Sequence, residues 1–322
     1  MLKQKLLICG VSGFIGRNVA EQFARRGEFE ITGTYWKAPE PRIAGVKMVR
    51  VDLTRREDVE RVVRGVDVIV QAAATTSGSK EILAKPYYHV TDNALMNSLI
   101  FRAAFEQKVK QVVFFSCTVM YQSSEKPLKE TDLDLNQPMH ESYFGSAWTK
   151  LYLEKLCEFY SKISATKYTV ARHSNIYGPY DKFDLERSHV FGATIAKVME
   201  AQQGGKITVW GSGEEARDLL YVSDLVNFVE LALRKQKEKF EIFNVGLGEA
   251  ISVKDLVKKI IALSGKKLAI DFDRAKPAIK TKLCLNCQKA RELLGWKPEV
   301  SLEDGIKNTI KWYEANKEKV RV

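Results

Sequence analysis

Residues 6–16 read Leu6-Leu7-Ile8-Cys9-Gly10-Val11-Ser12-Gly13-Phe14-Ile15-Gly16, and this stretch decides the fold. The apolar run Leu6–Cys9 has the length and composition of a buried strand. Glycines at 10, 13 and 16 then mark a turn that opens a helix near Phe14. Backbone geometry gives each glycine a task. Gly10 permits a tight turn, Gly13 lets the main chain approach a diphosphate, and Gly16 lets the helix pack closely against the strand. The diphosphate of a dinucleotide would then rest on unpaired N–H groups at the helix start, where Phe14 and Ile15 form the first turn. A glycine triplet also occurs in ordinary loops, so its weight comes from the strand–turn–helix context.

Outward from this turn, the first 170 residues alternate short apolar strands with amphipathic helices. The spacing predicts strands at Leu6–Cys9, Glu30–Tyr35, Lys47–Val51, Val66–Gln71, Gln111–Ser116 and Tyr168–Arg172, with helices around 14–26, 57–64, 92–107 and 146–162. That alternation specifies an α/β fold, a Rossmann-type doubly wound parallel sheet covered on both faces. Beyond Gly178-Pro179 the texture changes to a polar loop, helices near 190–203, 223–236, 252–264 and 300–316, and strands Ile207–Trp210 and Glu241–Val245. The chain therefore reads as a dinucleotide-binding domain over 1–174, with about 217–246 returning to it. Residues 175–322 read as a smaller interwoven C-terminal α/β lobe for substrate.

Composition bounds the rest. Hydrophobic residues make up 45% and charged residues 28% of 322, ordinary for a globular protein with a sizeable core. No apolar stretch is long enough to span a membrane, and Met1 leads straight into the first strand without room for a signal peptide. Five scattered cysteines point to a reducing, cytoplasmic setting. The net charge of +11 comes without a dense basic cluster, which argues against nucleic acid and fits phosphate-bearing small ligands. Cys284-x-x-Cys287 lacks a second pair or a nearby histidine, so no metal is expected.

The second strand ends in Thr34-Tyr35-Trp36-Lys37 without an acid to hold both ribose hydroxyls. Lys37 and Arg42 could meet a 2′-phosphate, which favours NADP(H) over NAD(H). Asp52-Leu53 after the third strand is placed to meet the adenine. Ala72-Ala73-Ala74 after the fourth offers small side chains where a dinucleotide must pass the backbone, and Ser116 ends the fifth.

These motifs continue with Asn175-Ile176-Tyr177-Gly178-Pro179, Arg217-Asp218-Leu219-Leu220-Tyr221-Val222-x-Asp224 and Asn244-Val245-Gly246. The ordered set, over nearly the whole chain, resembles the extended short-chain dehydrogenase/reductase family of nucleotide-sugar epimerases, dehydratases and reductases. Within it, Asn175–His189 and Val209–Gly213 are similar to the GDP-fucose synthases, which epimerise and then reduce a GDP-4-keto-6-deoxy sugar. The resemblance implies that Arg217 clamps the substrate diphosphate with planar, bidentate donors. It implies that Asn175, Val190 and Trp210 line the substrate pocket, and that His189 acts as an acid beside a ketone. It further implies a homodimer through a four-helix bundle built from the helices near 92–107 and 146–162. Leu151, Leu153, Leu156, Cys157 and Tyr160 form a stripe broad enough for burial on two sides.

One departure stands out. The family transfers hydride with a Ser or Thr, a Tyr, and a Lys four residues after that Tyr. The ammonium lowers the phenol pKa from about 10 toward neutrality. Lys150 is present, but Ser146 stands four residues before it and the nearest tyrosine is Tyr143. On a continuous helix that offset spans roughly 10.5 Å. A helix beginning only at 145 or 146 would leave Tyr143 in the preceding loop, free to fold back over Lys150. The alternatives are a site without a phenol, or a phenol supplied by Tyr121 or another residue. Cys117 occupies the Ser/Thr position, so either its thiol substitutes or a backbone shift presents Thr118.

Three functions follow from these residues. The first is an NAD(P)-dependent oxidoreductase/epimerase acting at C4 of a nucleotide-linked hexose, with epimerisation at a neighbouring carbon. The second is a redox-neutral UDP-hexose 4-epimerase. The third is a binding protein for dinucleotide or nucleotide sugar whose catalytic set has decayed.

Overall fold

The computed structural model describes residues 3–76, 87–185, 188–276 and 281–320. Among the described residues the strands run in chain order: β1 Gln4–Cys9, β2 Phe29–Tyr35, β3 Val46–Arg50, β4 Val68–Gln71, β5 Gln111–Phe115, β6 Lys167–His173, β7 Asn175–Tyr177, β8 Lys206–Trp210, β9 Ala216–Tyr221, β10 Phe240–Val245, β11 Ala250–Ser252 and β12 Ala269–Asp273. The helices among the described residues are α1 Phe14–Arg26, α2 Arg56–Val63, α3 Tyr88–Glu106, α4 Phe144–Ile163, α5 Val190–Glu200, α6 Val222–Lys235, α7 Val253–Leu263, α8 Gln288–Leu294, α9 Leu302–Ala315 and α10 Lys317–Val320.

Seven strands form one parallel sheet in the order β10-β6-β5-β4-β1-β2-β3. Side chains alternate across a strand, so β1 sends Leu6 and Ile8 to one face and Leu7 and Cys9 to the other. Leu6 and Ile8 pack with Val19, Phe23, Val226, Phe228 and Trp296 beneath α1, α6 and the segment following α8. Leu7 and Cys9 pack with Val59, Ile100, Phe101, Leu153 and Cys157 beneath α2, α3 and α4. Burial on both faces explains why these strands read as unbroken apolar runs. The strand order reverses between β1 and β4, and the crevice outside the carboxyl ends there is where such sheets bind ligands.

The second half builds two small sheets, β11-β9-β7 and β12-β8, around a third core that contains Tyr177, Phe191, Ile195, Leu256 and Tyr313. Of residues 217–246, the first five lie in β9 of the small sheet, α6 packs on the large sheet, and β10 forms its edge. One turn joins the halves. Asn18 Nδ2 on α1 donates to the Pro179 carbonyl at 2.9 Å, and Arg17 lies 4.0 Å over the ring of Tyr180. Tyr180 has φ +68, a conformation that a side chain makes costly, and its ring meets Trp312 of α9 at 4.9 Å.

Candidate active site

The glycine turn is closed against its neighbours. Gly10 has φ +82, and a Cβ there would lie 2.7 Å from the Ala73 Cα and 2.9 Å from its nitrogen. A Cβ on Gly16 would run into the Gly10 carbonyl, so this glycine serves contact with the turn itself. The Gly10 amide donates to Thr34 on β2, to the carbonyl and Oγ1, each at 3.1 Å. Gly13 caps α1 without a side-chain hydrogen bond, and no acid stands in the first turn. Phe14 and Ile15 pack into the core beneath it. An uncapped helix start with no carboxylate to compete is a cradle for phosphate. The residues fit a dinucleotide.

Around this turn, Ala72 and Ala73 are half-buried and Ala74 is exposed, leading into Thr75, whose amide donates to Asn93 Oδ1 at 2.9 Å. Asp52 Oδ1 accepts from the Thr54 amide at 3.0 Å and its hydroxyl at 2.6 Å, and Leu53 is buried. Lys37 and Arg42 are exposed beyond β2. Sequence reasoning missed Arg50, whose guanidinium stands 5.1 Å over the half-exposed ring of Trp36.

The residues expected at the reacting end gather where β5 and α4 meet. Lys150 Nζ donates to the Phe115 carbonyl at 2.8 Å and sits 4.8 Å over the Phe114 ring. Burial pushes its pKa down, while Cys117, Glu154 and Cys157 pull the other way. Burial pushes the Cys117 thiol up, and Lys150 is the largest influence lowering it. The Tyr143 phenol is also raised by burial, with Arg217 lowering it and Cys117 raising it. Cys117 thus interacts with both Lys150 and Tyr143, and Tyr143 interacts with Arg217. Thr118, next along, is buried, and its carbonyl accepts from the Tyr121 amide at 3.0 Å.

The local backbone explains the tyrosine. Glu141–Tyr143 is a tight 3-10 turn, and α4 begins at Phe144, one or two residues earlier than the glycine at 145 indicates. Tyr143 precedes the first helical residue, and His140 packs on it with centroids 5.6 Å apart. Ser146 Oγ donates to the Tyr143 carbonyl at 3.0 Å, tying the hydroxyl into the first turn. Tyr121 is otherwise engaged: its hydroxyl donates to Asn244 Oδ1 at 2.8 Å and accepts from Arg172 at 3.0 Å. Burial pushes that phenol up to about 12. Ser116 is buried, and its hydroxyl donates to Glu154 Oε1 at 2.6 Å.

On the side expected to meet substrate, Asn175 begins β7, and its side-chain amide donates to the Asp218 carbonyl at 3.4 Å. Arg217 donates to the carbonyls of Ala216 at 3.0 Å and of Thr281. Asp218 does not pair with it. Its carboxylate accepts from the amides of Leu247 at 2.8 Å and of Gly248 and Leu285 at 3.1 Å. His189 caps α5, which Val190 begins, and burial lowers its pKa with help from Lys182 and His89. Trp210 ends β8 half-exposed, with Lys276 5.8 Å over its ring. Among the described residues no cluster of three or more His, Cys, Asp or Glu could hold a metal, and no helix is long and apolar enough to cross a membrane.

Sheet, glycine cradle and lysine cluster together define a dinucleotide-dependent enzyme of the doubly wound class. A profile of the NAD dependent epimerase/dehydratase family matches residues 6–246. The chain belongs to that family. It is 32% identical to a GDP-L-fucose synthase of Azorhizobium caulinodans, with 96% of each chain covered. It is 28% identical to the GDP-L-fucose synthase of Escherichia coli over the full length of both, and 25% identical to a GDP-L-colitose synthase of Yersinia pseudotuberculosis over 96% and 97%. Among solved structures, the UDP-glucose 4-epimerase of Thermotoga maritima superposes with a TM-score of 0.85 at 24% identity, covering 97% of this chain and 99% of that one. At that identity the likeness concerns the fold.

Proposed function

We propose that the chain is an NAD(P)-dependent oxidoreductase/epimerase acting at C4 of a nucleotide-linked 6-deoxyhexose, with a GDP-linked sugar as the preferred substrate. The observation that carries this reading is geometric: the glycine cradle closes on Ala73 at the sheet's switch point, Lys150 is fixed on the Phe115 carbonyl at the end of β5, and Tyr143 is held in the turn just ahead of the helix that carries Lys150. The bound nicotinamide dinucleotide would supply the hydride. Arg217 binds and neutralises the substrate diphosphate, with Asn175, Val190 and Trp210 lining the pocket. Tyr143 delivers a proton to the C4 oxygen, and its neighbour Arg217 favours the phenolate left behind. His189 and Cys117 are the candidates for exchanging a proton at the carbon beside the ketone. The glycine cradle, Asp52, Leu53 and Ala72–Ala74 hold the cofactor.

NADP(H) is preferred over NAD(H) in this reading. Lys37, Arg42 and the Arg50–Trp36 stack gather positive charge past β2 where an NAD-selective site carries an acid. The protein acts in the cytoplasm as a homodimer. Of the broad stripe on α4, Leu151, Leu153 and Cys157 are buried within the chain, while Leu156 and Tyr160 are half-buried. Phe144, Trp148, Tyr152, Phe159 and Ile163 instead form an exposed stripe on α4, which Tyr152 joins to Ser98 on α3 at 3.2 Å. A second copy covering this stripe and Leu95 would build a four-helix bundle.

The test is a panel of GDP-, UDP- and dTDP-linked hexoses and 4-keto-6-deoxyhexoses with NADPH or NADH, followed by the near-ultraviolet absorbance of reduced nicotinamide. Stoichiometric loss of absorbance with a GDP-linked ketosugar is the expected result. Interconversion of UDP-hexoses without net loss would replace the proposal with a redox-neutral epimerase. No redox change at enzyme concentrations equal to cofactor would refute catalysis and leave a binding protein.

A further inference from the structure

His173 closes β6 at the carboxyl edge of the large sheet and belongs to none of the motifs considered above. Its ring packs edge-on to Phe115, with centroids 6.0 Å apart. The carbonyl of the same Phe115 accepts from Lys150 Nζ, so histidine and lysine flank one residue at the end of β5. Burial pushes the imidazole pKa down to about 4, and the positive charges of Lys150 and His189 add to that effect. The ring is neutral near pH 7, so only one of its nitrogens carries a proton.

Which nitrogen follows from geometry. Nδ1 lies 2.7 Å from the Ser174 carbonyl oxygen. A carbonyl only accepts, so the proton belongs on Nδ1 and Nε2 presents a bare lone pair. Among the described residues Nε2 has no protein donor, and the buried side-chain atoms left without a partner are Ser174 Oγ and Glu230 Oε2 instead. Nε2 therefore retains accessible surface in a half-buried ring beside Lys150.

We propose that His173 contacts the cofactor, its Nε2 accepting a hydrogen bond from the carboxamide N–H of the nicotinamide. An acceptor-only nitrogen repels phosphate and carboxylate oxygens and selects a neutral donor, which the carboxamide provides. The contact would fix which face of the nicotinamide ring turns toward the substrate. This inference rests on the nicotinamide reading of the preceding section.

The test compares the full chain with His173→Phe, which keeps an aromatic ring against Phe115, and His173→Gln, which restores an acceptor. Affinities are measured for NADPH and NADH, and for 2′-phospho-ADP-ribose and ADP-ribose, which lack the nicotinamide. The expected result is a loss of about 3- to 10-fold in affinity for the intact dinucleotide in the Phe variant, the range of one neutral hydrogen bond. The fragments should bind to all three proteins alike, and Gln should recover most of the loss. Unchanged dinucleotide affinity in the Phe variant would overturn the proposal. A raised KM for the sugar nucleotide alone would overturn it in favour of a sugar hydroxyl. Equal weakening of fragment and dinucleotide would do so in favour of a packing role. Binding of neither dinucleotide by the unaltered chain would overturn the nicotinamide reading along with it.

Discussion

Replacing Glu154 with leucine removes one half of an ion pair buried directly beneath the site. Glu154 and Arg172 are 2% and 4% exposed. Arg172 Nη2 donates to Oε2 at 2.6 Å, and Nε reaches Oε1 and Oε2 at 3.0 and 3.2 Å. The Ser116 hydroxyl donates to the same carboxylate at 2.6 Å. Leucine would leave a buried guanidinium without its counter-charge, a loss of about 3–5 kcal/mol. The orphaned serine hydroxyl adds about 1 kcal/mol. Arg172→Met should cost a similar amount, because it strands the carboxylate and removes donors to the Tyr121 hydroxyl and the Glu130 carbonyl, both at 3.0 Å. The double variant carries neither charge, so most of the penalty disappears and about 2–3 kcal/mol remains for the unpaired polar groups. A double-mutant cycle should therefore return a coupling of about 3 kcal/mol or more. Urea unfolding measures it, with coincident near- and far-ultraviolet circular dichroism transitions required before free energies are compared. Single-variant losses that simply add, within about 0.5 kcal/mol, would refute the reasoning.

Three further outcomes are expected. Tyr143→Phe should lower turnover by about 100-fold or more while leaving the fold intact, and turnover like the unaltered chain's would remove this phenol from proton transfer. Ser146→Ala should leave turnover within about 2-fold and cost at most about 1 kcal/mol, since the hydroxyl serves the start of α4; a large catalytic loss would show that the hydroxyl itself acts. Burial pushes the Asp181 carboxyl up to about 7. An unfolded aspartate titrates near about 3.9, so the folded chain holds the extra proton between the two values and loses stability as pH rises through that window. Asp181→Asn should therefore raise Tm more above about pH 7 than near pH 4, and a gain independent of pH would contradict this.

The large sheet was legible because both of its faces are buried, which leaves each strand as a short apolar run between turn signals. In the smaller lobe Ile207–Trp210 was legible in the same way, as β8, but β7 and β9 were not. Asn175–Tyr177 has three residues, and Ala216–Tyr221 carries Arg217 and Asp218 in its interior. Asp218 tolerates burial only because three amides distant in sequence converge on its carboxylate, and no local pattern announces such a convergence. The candidate site divides in the same way. Lys150, Arg217 and the glycine turn lie in recognisable motifs. Arg50 and His173 sit at strand ends where ordinary alternation explains them, and their relevance emerges only when strand order brings Trp36 and Lys150 alongside.

The edge position of β10 limits how the gene can be divided. Phe240–Val245 pairs with Tyr168–His173 along the whole length of β6, and Ser174 donates to the Val245 carbonyl at 2.9 Å. A fragment ending at residue 174 would carry the entire glycine turn and Lys150, yet expose a bare row of amides and carbonyls along Tyr168–His173, a template for intermolecular strand pairing. Expressed alone, such a fragment should aggregate, and adding residues 240–245 in trans as a peptide should suppress it. Truncation maps of this protein must therefore be drawn beyond Val245, the end of that edge strand, and not at the close of the glycine-turn half.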